Sequence, residues 1–218
     1  MRMTALVLIA LVSSASMTSG ETRKVDFSGD TVGQRPQGFD FGHTGKVGAS
    51  GKWVIQADGD NKVLAQTDAD STRSRFPVAV LTDIMTVDVD LTVRFKPISG
   101  RVDQAGGLVW RYQDEDNYYI VRANALEDNV VLYKVERGRR TDLPLKGEGR
   151  TYGKTSEVPA GDWSRLRVVV NGSRFEVYLN DAQLFEVEDT TFTQAGKVGV
   201  WTKADSVTQF DDLTVVTK

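Results

Sequence analysis

From Met85 to Phe95 apolar and polar side chains alternate without a break. Met85, Val87, Val89, Leu91, Val93 and Phe95 fall on one parity, and Thr86, Asp88, Asp90, Thr92 and Arg94 on the other. A helix turns by about 100° per residue and would scatter these apolar groups around its circumference, whereas a strand collects them on one face. The run therefore predicts a long strand with one side in a core and the other in water. Shorter segments repeat the pattern. Leu166, Val168 and Val170 alternate with Arg165 and Arg167, and Phe175, Val177 and Leu179 continue the apolar set after Asn171-Gly172. That pair is the signature of a type I′ hairpin turn, whose two central residues need positive φ. Asp58-Gly59-Asp60-Asn61 marks another hairpin between strands expected at 52–56 and 62–66, and Asn180-Asp181 turns the chain toward 184–187.

The stretch 106–136 is the densest in β-formers. It reads Gly-Gly-Leu-Val-Trp-Arg-Tyr, a polar Gln-Asp-Glu-Asp-Asn turn, Tyr-Tyr-Ile-Val-Arg-Ala-Asn-Ala-Leu, an acidic turn, and Val-Val-Leu-Tyr-Lys-Val-Glu. Aromatic and β-branched runs between Asp/Asn clusters predict a three-stranded antiparallel meander. Pairing Tyr112 with Tyr118 would set Arg111 against Tyr119 and Trp110 against Ile120, and a β-bulge would change that register. Further strands are expected at 24–27, 196–202 and 210–216. Residues 28–51, 67–77 and 138–162, rich in Gly and polar residues, read as long loops. Arg137, Arg139 and Arg140 read as a solvated hairpin tip. About twelve short antiparallel strands with no 3.6-residue periodicity make an all-β sandwich.

A chain of 218 residues, 26% charged with a net charge of −3, suits one globular domain and lacks the basic surface that non-specific nucleic-acid binding requires. Residues 1–20 differ from the rest. Arg2 precedes an apolar run, Ala5 to Val12, and then small residues as far as Gly20. This is the layout of a secretory signal peptide, too short to span a bilayer, and it leaves residues 21–218 as the single domain. Export and the absence of cysteine together suggest a periplasmic or secreted protein that folds without disulfides, and exclude thiolate catalysis and thiolate metal sites.

In chain order, Gly-Gly-Leu-Val-Trp-Arg-Tyr, Asp-Asn-Tyr-Tyr-Ile-Val-Arg, Trp163-Ser-Arg-Leu-Arg-Val, Phe175-Glu-Val-Tyr-Leu-Asn, Gly196-Lys-Val-Gly-Val-Trp and Phe210-Asp-Asp-Leu-Thr-Val resemble the concanavalin A-like lectin/glucanase superfamily. Within it they resemble the laminin-G-like bacterial branch that includes 3-keto-disaccharide hydrolase domains. The resemblance implies a jelly-roll of two curved antiparallel sheets. It does not choose among lectin, glycosidase and adhesion module, since one fold carries all three. The retaining glucanases of this fold use two glutamates four or five residues apart, and no pair here has that spacing. A keto-sugar hydrolase could instead use a single base, for which His43, Asp88, Asp90 and Glu115 are the candidates, leaving no catalytic residue assigned. The leading expectation is a carbohydrate ligand on the concave sheet, gripped by Trp110, Arg111, Tyr119, Arg122 and Asn124. Candidate donors to a structural calcium are Asp26 with Asp211 and Asp212, and the acidic turns at 58–61 and 114–117.

Overall fold

A computed structural model describes residues 20–218, so the leader expected at residues 1–20 lies, except for Gly20, outside the described residues. Every regular element described is a strand: β1 (Thr22–Val25), β2 (Phe39–Thr44), β3 (Trp53–Asp58), β4 (Asn61–Gln66), β5 (Phe76–Leu81), β6 (Val89–Ser99), β7 (Ala105–Asp114), β8 (Asn117–Asn124), β9 (Asn129–Glu136), β10 (Arg139–Asp142), β11 (Lys154–Thr155), β12 (Ser164–Asn171), β13 (Arg174–Leu179), β14 (Ala182–Glu188), β15 (Lys197–Trp201) and β16 (Val207–Thr217). They form two eight-stranded antiparallel sheets. The first runs β14-β13-β12-β6-β16-β4-β3, with β1 added on β16. The second runs β10-β9-β8-β7-β15-β5-β2, with β11 added on β9. The result is an all-β jelly-roll sandwich, and no described helix is long and apolar enough to cross a membrane.

The alternating residues of β6 do what their pattern dictates. Val89, Leu91, Val93 and Phe95 are wholly buried between the sheets, while Asp90, Thr92 and Arg94 face outward. The strand starts later than the pattern does. Met85 and Val87 lie before it and are 62% and 37% exposed. Hairpin chemistry accounts for several connections. Asn180 and Asp181 both take positive φ, as a type I′ turn requires, and Gly59 takes the left-handed position after β3. The turn after β12 sits one residue later than expected. Asn171 pairs with Arg174, so Gly172 and Ser173 are central and only Gly172 has positive φ, which is the type II′ pattern.

The meander is β7-β8-β9, with a shifted register. Trp110 pairs with Tyr119 and Asp114 with Asn117, so three residues of β7, 111–113, oppose Tyr118 alone. Arg111 takes a φ of 47° in this bulge. The bulge puts Trp110 and Tyr119 on the inner face together. Their rings stack at 5.5 Å, and Phe175 from the first sheet meets them at 5.3 and 4.8 Å. Three strands, β2, β10 and β11, lie in segments read as loops, and β5 begins at the end of another.

Phe175 is wholly buried and is the first sheet's member of this three-ring contact. Phe175→Ala should lower unfolding stability by about 3–5 kcal/mol, the usual range for an aromatic truncated in a core. Urea unfolding followed by tryptophan fluorescence measures this. A loss under about 1 kcal/mol would mean that the sheets are not joined here.

Candidate functional site

Opposed residues in a sheet share a face, so the register of the second sheet assigns its two sides. Its inner side carries Leu108, Trp110, Tyr119, Val121, Leu132 and Val200, all in the main core. Its outer side also buries apolar groups: Phe76, Val78, Val109, Tyr118, Ile120, Val131, Tyr133 and Trp201 form a second cluster. The row across the middle of this outer side is Val78, Trp201, Gly107, Arg122, Val131. Gly107 leaves no side chain between the indole and the guanidinium. A Cβ there would lie 2.5 Å from the Ile120 tip and 3.4 Å from the Trp201 ring, so those two groups already cover it.

Arg122 is fully buried in this row. Its Nε donates to the Tyr133 hydroxyl at 3.2 Å, and its Nη2 donates to Glu127 at 2.7 Å and to the Tyr152 hydroxyl at 3.3 Å. Its Nη1 is buried without a partner. Tyr133 also donates to the Tyr152 hydroxyl at 3.0 Å. Tyr152 is 46% exposed, at φ 58°, in a turn segment where Gly147, Gly149 and Gly153 also have positive φ.

Arg140 of β10 shares the row of Val135 and Tyr118 and reaches over the same face. Its guanidinium lies 4.3 Å from the centre of the Tyr133 ring, 4.8 Å from that of Phe76 and 5.7 Å from that of Trp201. Arg122 stands 5.9 Å from the rings of Tyr133 and Tyr152. Tyr133 is thus flanked by two cations. Burial pushes the Tyr118 hydroxyl up to about 12 and raises that of Tyr133 too, although the two arginines pull Tyr133 the other way. Both phenols are therefore neutral donors at ordinary pH. The arrangement is a polar fork set among rings, chemistry suited to holding oxygen-rich, partly apolar rings.

The expected ligand-binding residues separate. Arg122 and Asn124 stand on this outer face. Asn124 is committed there: its amide donates to Asp103 at 2.7 Å, and its carbonyl accepts the Leu126 N–H at 2.9 Å. Trp110 and Tyr119 face the opposite way, into the core between the sheets, and the Tyr119 hydroxyl donates to Asp189 at 2.5 Å. Arg111 leaves the sheet altogether. From the bulge it donates to the carbonyls of Val87, Phe192 and Gly172 at 3.0, 2.7 and 2.5 Å, and it tethers the end of the first sheet. The five residues therefore do not form one surface.

The carboxylate candidates are similarly engaged. Asp90 pairs with Arg167 at 2.5 Å, Asp88 accepts from the Gly172 amide at 2.8 Å, and Glu115 pairs with Lys46 at 2.9 Å. His43, expected in a loop, is half-buried on β2 with Nε2 unpartnered. Asp212 is held by Lys24 at 2.8 Å and Arg94 at 3.3 Å, Asp211 accepts from Asn61 at 2.8 Å, and Asp26 bonds to Ser28. Among the described residues no group of three or more acidic or histidine side chains is placed to hold a metal, so these donors do not fit a calcium site.

Sequence reasoning missed Arg140, Phe76, Tyr133 and Tyr152 as site residues. Gly138, at φ 75° after Arg137 at φ 52°, is the local signal that the chain reverses into another strand and carries Arg140 back over the sheet. Nothing local signals Tyr152. Two hollows lie away from the face. One of about 390 Å³ sits where the chain ends meet, lined by Glu21, Arg23, Asp83, Met85 and Lys218. A shallow one of about 500 Å³ crosses the outer side of the first sheet, where Arg94, Arg165 and Arg167 all have carboxylate partners. The second sheet's outer face, where Arg122 stands, is filled by its own rings.

No family model matches the chain. Over 181 residues it is 24% identical to levanase of Bacillus subtilis (strain 168), a stretch that is 78% of this chain but only 22% of levanase. Among solved structures it is similar to the carbohydrate binding module CBM66 from Bacillus subtilis, with a TM-score of 0.61 and 21% identity over 83% of this chain and 96% of that one. It is also similar to domain 4 of AbnA, an extracellular GH43 arabinanase from Geobacillus stearothermophilus solved with arabinotriose. There the TM-score is 0.55 and the identity 14%, over 92% of this chain and 94% of that one. At these identities the shared property is the fold: a jelly-roll sandwich of the kind that carbohydrate-binding modules and glycoside hydrolase accessory domains use.

Proposed function

We propose that this chain is an exported, non-catalytic domain that binds carbohydrate on the outer, concave side of its second sheet, around Arg122. One observation carries the reading: a wholly buried guanidinium keeps an unpartnered N–H on a face rich in aromatic rings. Buried donors are nearly always satisfied, and an exception in a native fold points to a ligand or an ordered water. The half-exposed Tyr152 hydroxyl accepts from both Arg122 and Tyr133, as a sugar hydroxyl would. Swinging that ring aside admits a ligand. The fold shared with CBM66 and with the AbnA domain supports a sugar, and the signal-peptide-like sequence of residues 1–20 supports a periplasmic or secreted location.

Hydrolysis of a 3-keto-disaccharide is less well supported. It needs a carboxylate or imidazole free to move a proton. Glu127 and Asp103, the acids nearest Arg122, are held by Arg122 and by Lys203, and the unpartnered imidazole of His43 stands on the edge strand β2 with the inward parity of Phe39 and Phe41, not on this face.

The Arg122–Glu127 pair gives the site a pH signature. Burial works to raise the Glu127 carboxyl, but the hydrogen bond and charge of Arg122 outweigh it and hold the group below its ordinary 4.5. A folded value below the unfolded one adds stability above the unfolded value, and that stability drains away as pH falls through the folded value.

Two outcomes are expected. Glycan-array screening of the purified protein should give a carbohydrate ligand, and calorimetric titration should show binding weakened at least about tenfold in Arg122→Met, the scale of one charge-assisted hydrogen bond, and not weakened in Tyr152→Ala, whose ring the ligand displaces. A folded protein that binds no glycan discards the proposal. In urea unfolding, the stability difference between the wild type and Glu127→Gln should be full near about pH 6 and shrink below about pH 4. A difference independent of pH would show that the Glu127 charge is not what Arg122 uses.

A further inference from the structure

We infer that the ligand of this face is acidic: a glycan built from uronic acids, whose carboxylate meets Arg140 beside Arg122. The inference rests on the carbohydrate reading above and adds the ligand's charge.

Charge pairing shows why. Six described arginines are shielded from water at least in part: Arg75, Arg94, Arg111, Arg122, Arg140 and Arg167. Five have a carboxylate partner, in Asp68, Asp212, Asp88, Glu127 and Asp90 respectively. Of these six, Arg140 alone has none. Its guanidinium lies against three aromatic rings, and its Nη1 is buried without an acceptor. Ring faces attract a cation by about 0.5–2 kcal/mol and do not accept its N–H bonds as oxygens would. A guanidinium drawn out of water is costly unless it is both paired and hydrogen-bonded.

No carboxylate on a neighbouring element pairs with Arg140: Asp116 of the β7–β8 turn lies beside Gly138 without an ion-pair partner among the described residues, and the acids that follow are taken. Asp142 of the same strand pairs with Arg150 at 2.8 Å, Glu115 in the β7–β8 turn with Lys46 at 2.9 Å, and Asp103 with Lys203. Glu127 serves Arg122. The face thus presents two guanidiniums against one carboxylate, flanking one ring, each with an N–H to spare. A sugar hydroxyl could accept one such bond but would leave the excess charge unmatched. A carboxylate matches it and fits the guanidinium fork with two parallel bonds. The rest of the molecule does not favour polyanions, since the chain carries a net charge of −3. Binding of one would therefore report a local site.

The test titrates the purified full chain with polygalacturonate and alginate, and separately with the neutral polymers levan and arabinan. Uronate polymers should bind. Raised salt or methyl-esterification should weaken that binding, and Arg140→Gln should weaken it at least about tenfold. Arg165→Gln, on the outer side of the other sheet, should leave it unchanged. Binding to neutral polymers alone, or uronate binding indifferent to Arg140→Gln, overturns this inference and leaves the carbohydrate reading standing. Binding to none of the four overturns this inference, and the glycan array then decides the broader reading.

Discussion

The β-bulge at Arg111 decides which side chain goes where on the second sheet. Side chains alternate along a strand, so a slip of one residue sends every group to the opposite face. With three residues of β7 opposing Tyr118, Trp110 comes into register with Tyr119, and both enter the core against Phe175. The same register sends Tyr118, Ile120 and Arg122 outward. The bulge also turns Arg111 off the sheet, to where backbone carbonyls at the end of the first sheet surround it. Core, tether and outer face all follow from those extra residues.

The three wholly buried arginines show how differently one charge can be accommodated. Arg75 and Arg111 are held largely by backbone carbonyls, from 49, 70 and 204 in one case and from 87, 172 and 192 in the other. Such carbonyls are fixed by the chain, and these two side chains act as braces between loops. Arg122 is held by side chains instead, by Glu127, Tyr133 and Tyr152, and the last of these is half-exposed. A partner on a half-exposed side chain can be exchanged for a ligand atom at modest cost, whereas a carbonyl in a packed loop cannot. That difference is why Arg122 and not Arg111 is the proposed recognition group, although the two look equivalent as residues in adjacent β-runs.

Legibility followed the range of the forces involved. The strands around Leu91, Val168 and Val177 were readable because alternation is local and their faces are burial-driven. β2 was not, since Phe39-Asp-Phe-Gly-His-Thr sits in a Gly-rich segment and gains its order only by pairing with β5. β10 was not, because its four polar residues become a strand only when β9 offers an edge. The reading of Arg140 as a solvated tip failed for the same reason. Of the five expected ligand contacts, Arg122 alone keeps spare bonding capacity on the face, and its companions Tyr133, Tyr152 and Arg140 come from segments up to 30 residues away in the chain.

Taken alone, the sequence determined that this chain makes antiparallel strands in two layers, because period-two hydrophobicity leaves no other way to bury those residues. It also determined that folding proceeds without disulfides, since there is no cysteine. The tertiary structure decided which aromatic rings are core and which are surface, because a bulge shifts parity and a bulge is set by the partner strand. It decided, too, which arginine stands without a counter-charge, because ion pairing depends on distances through space that chain order does not encode.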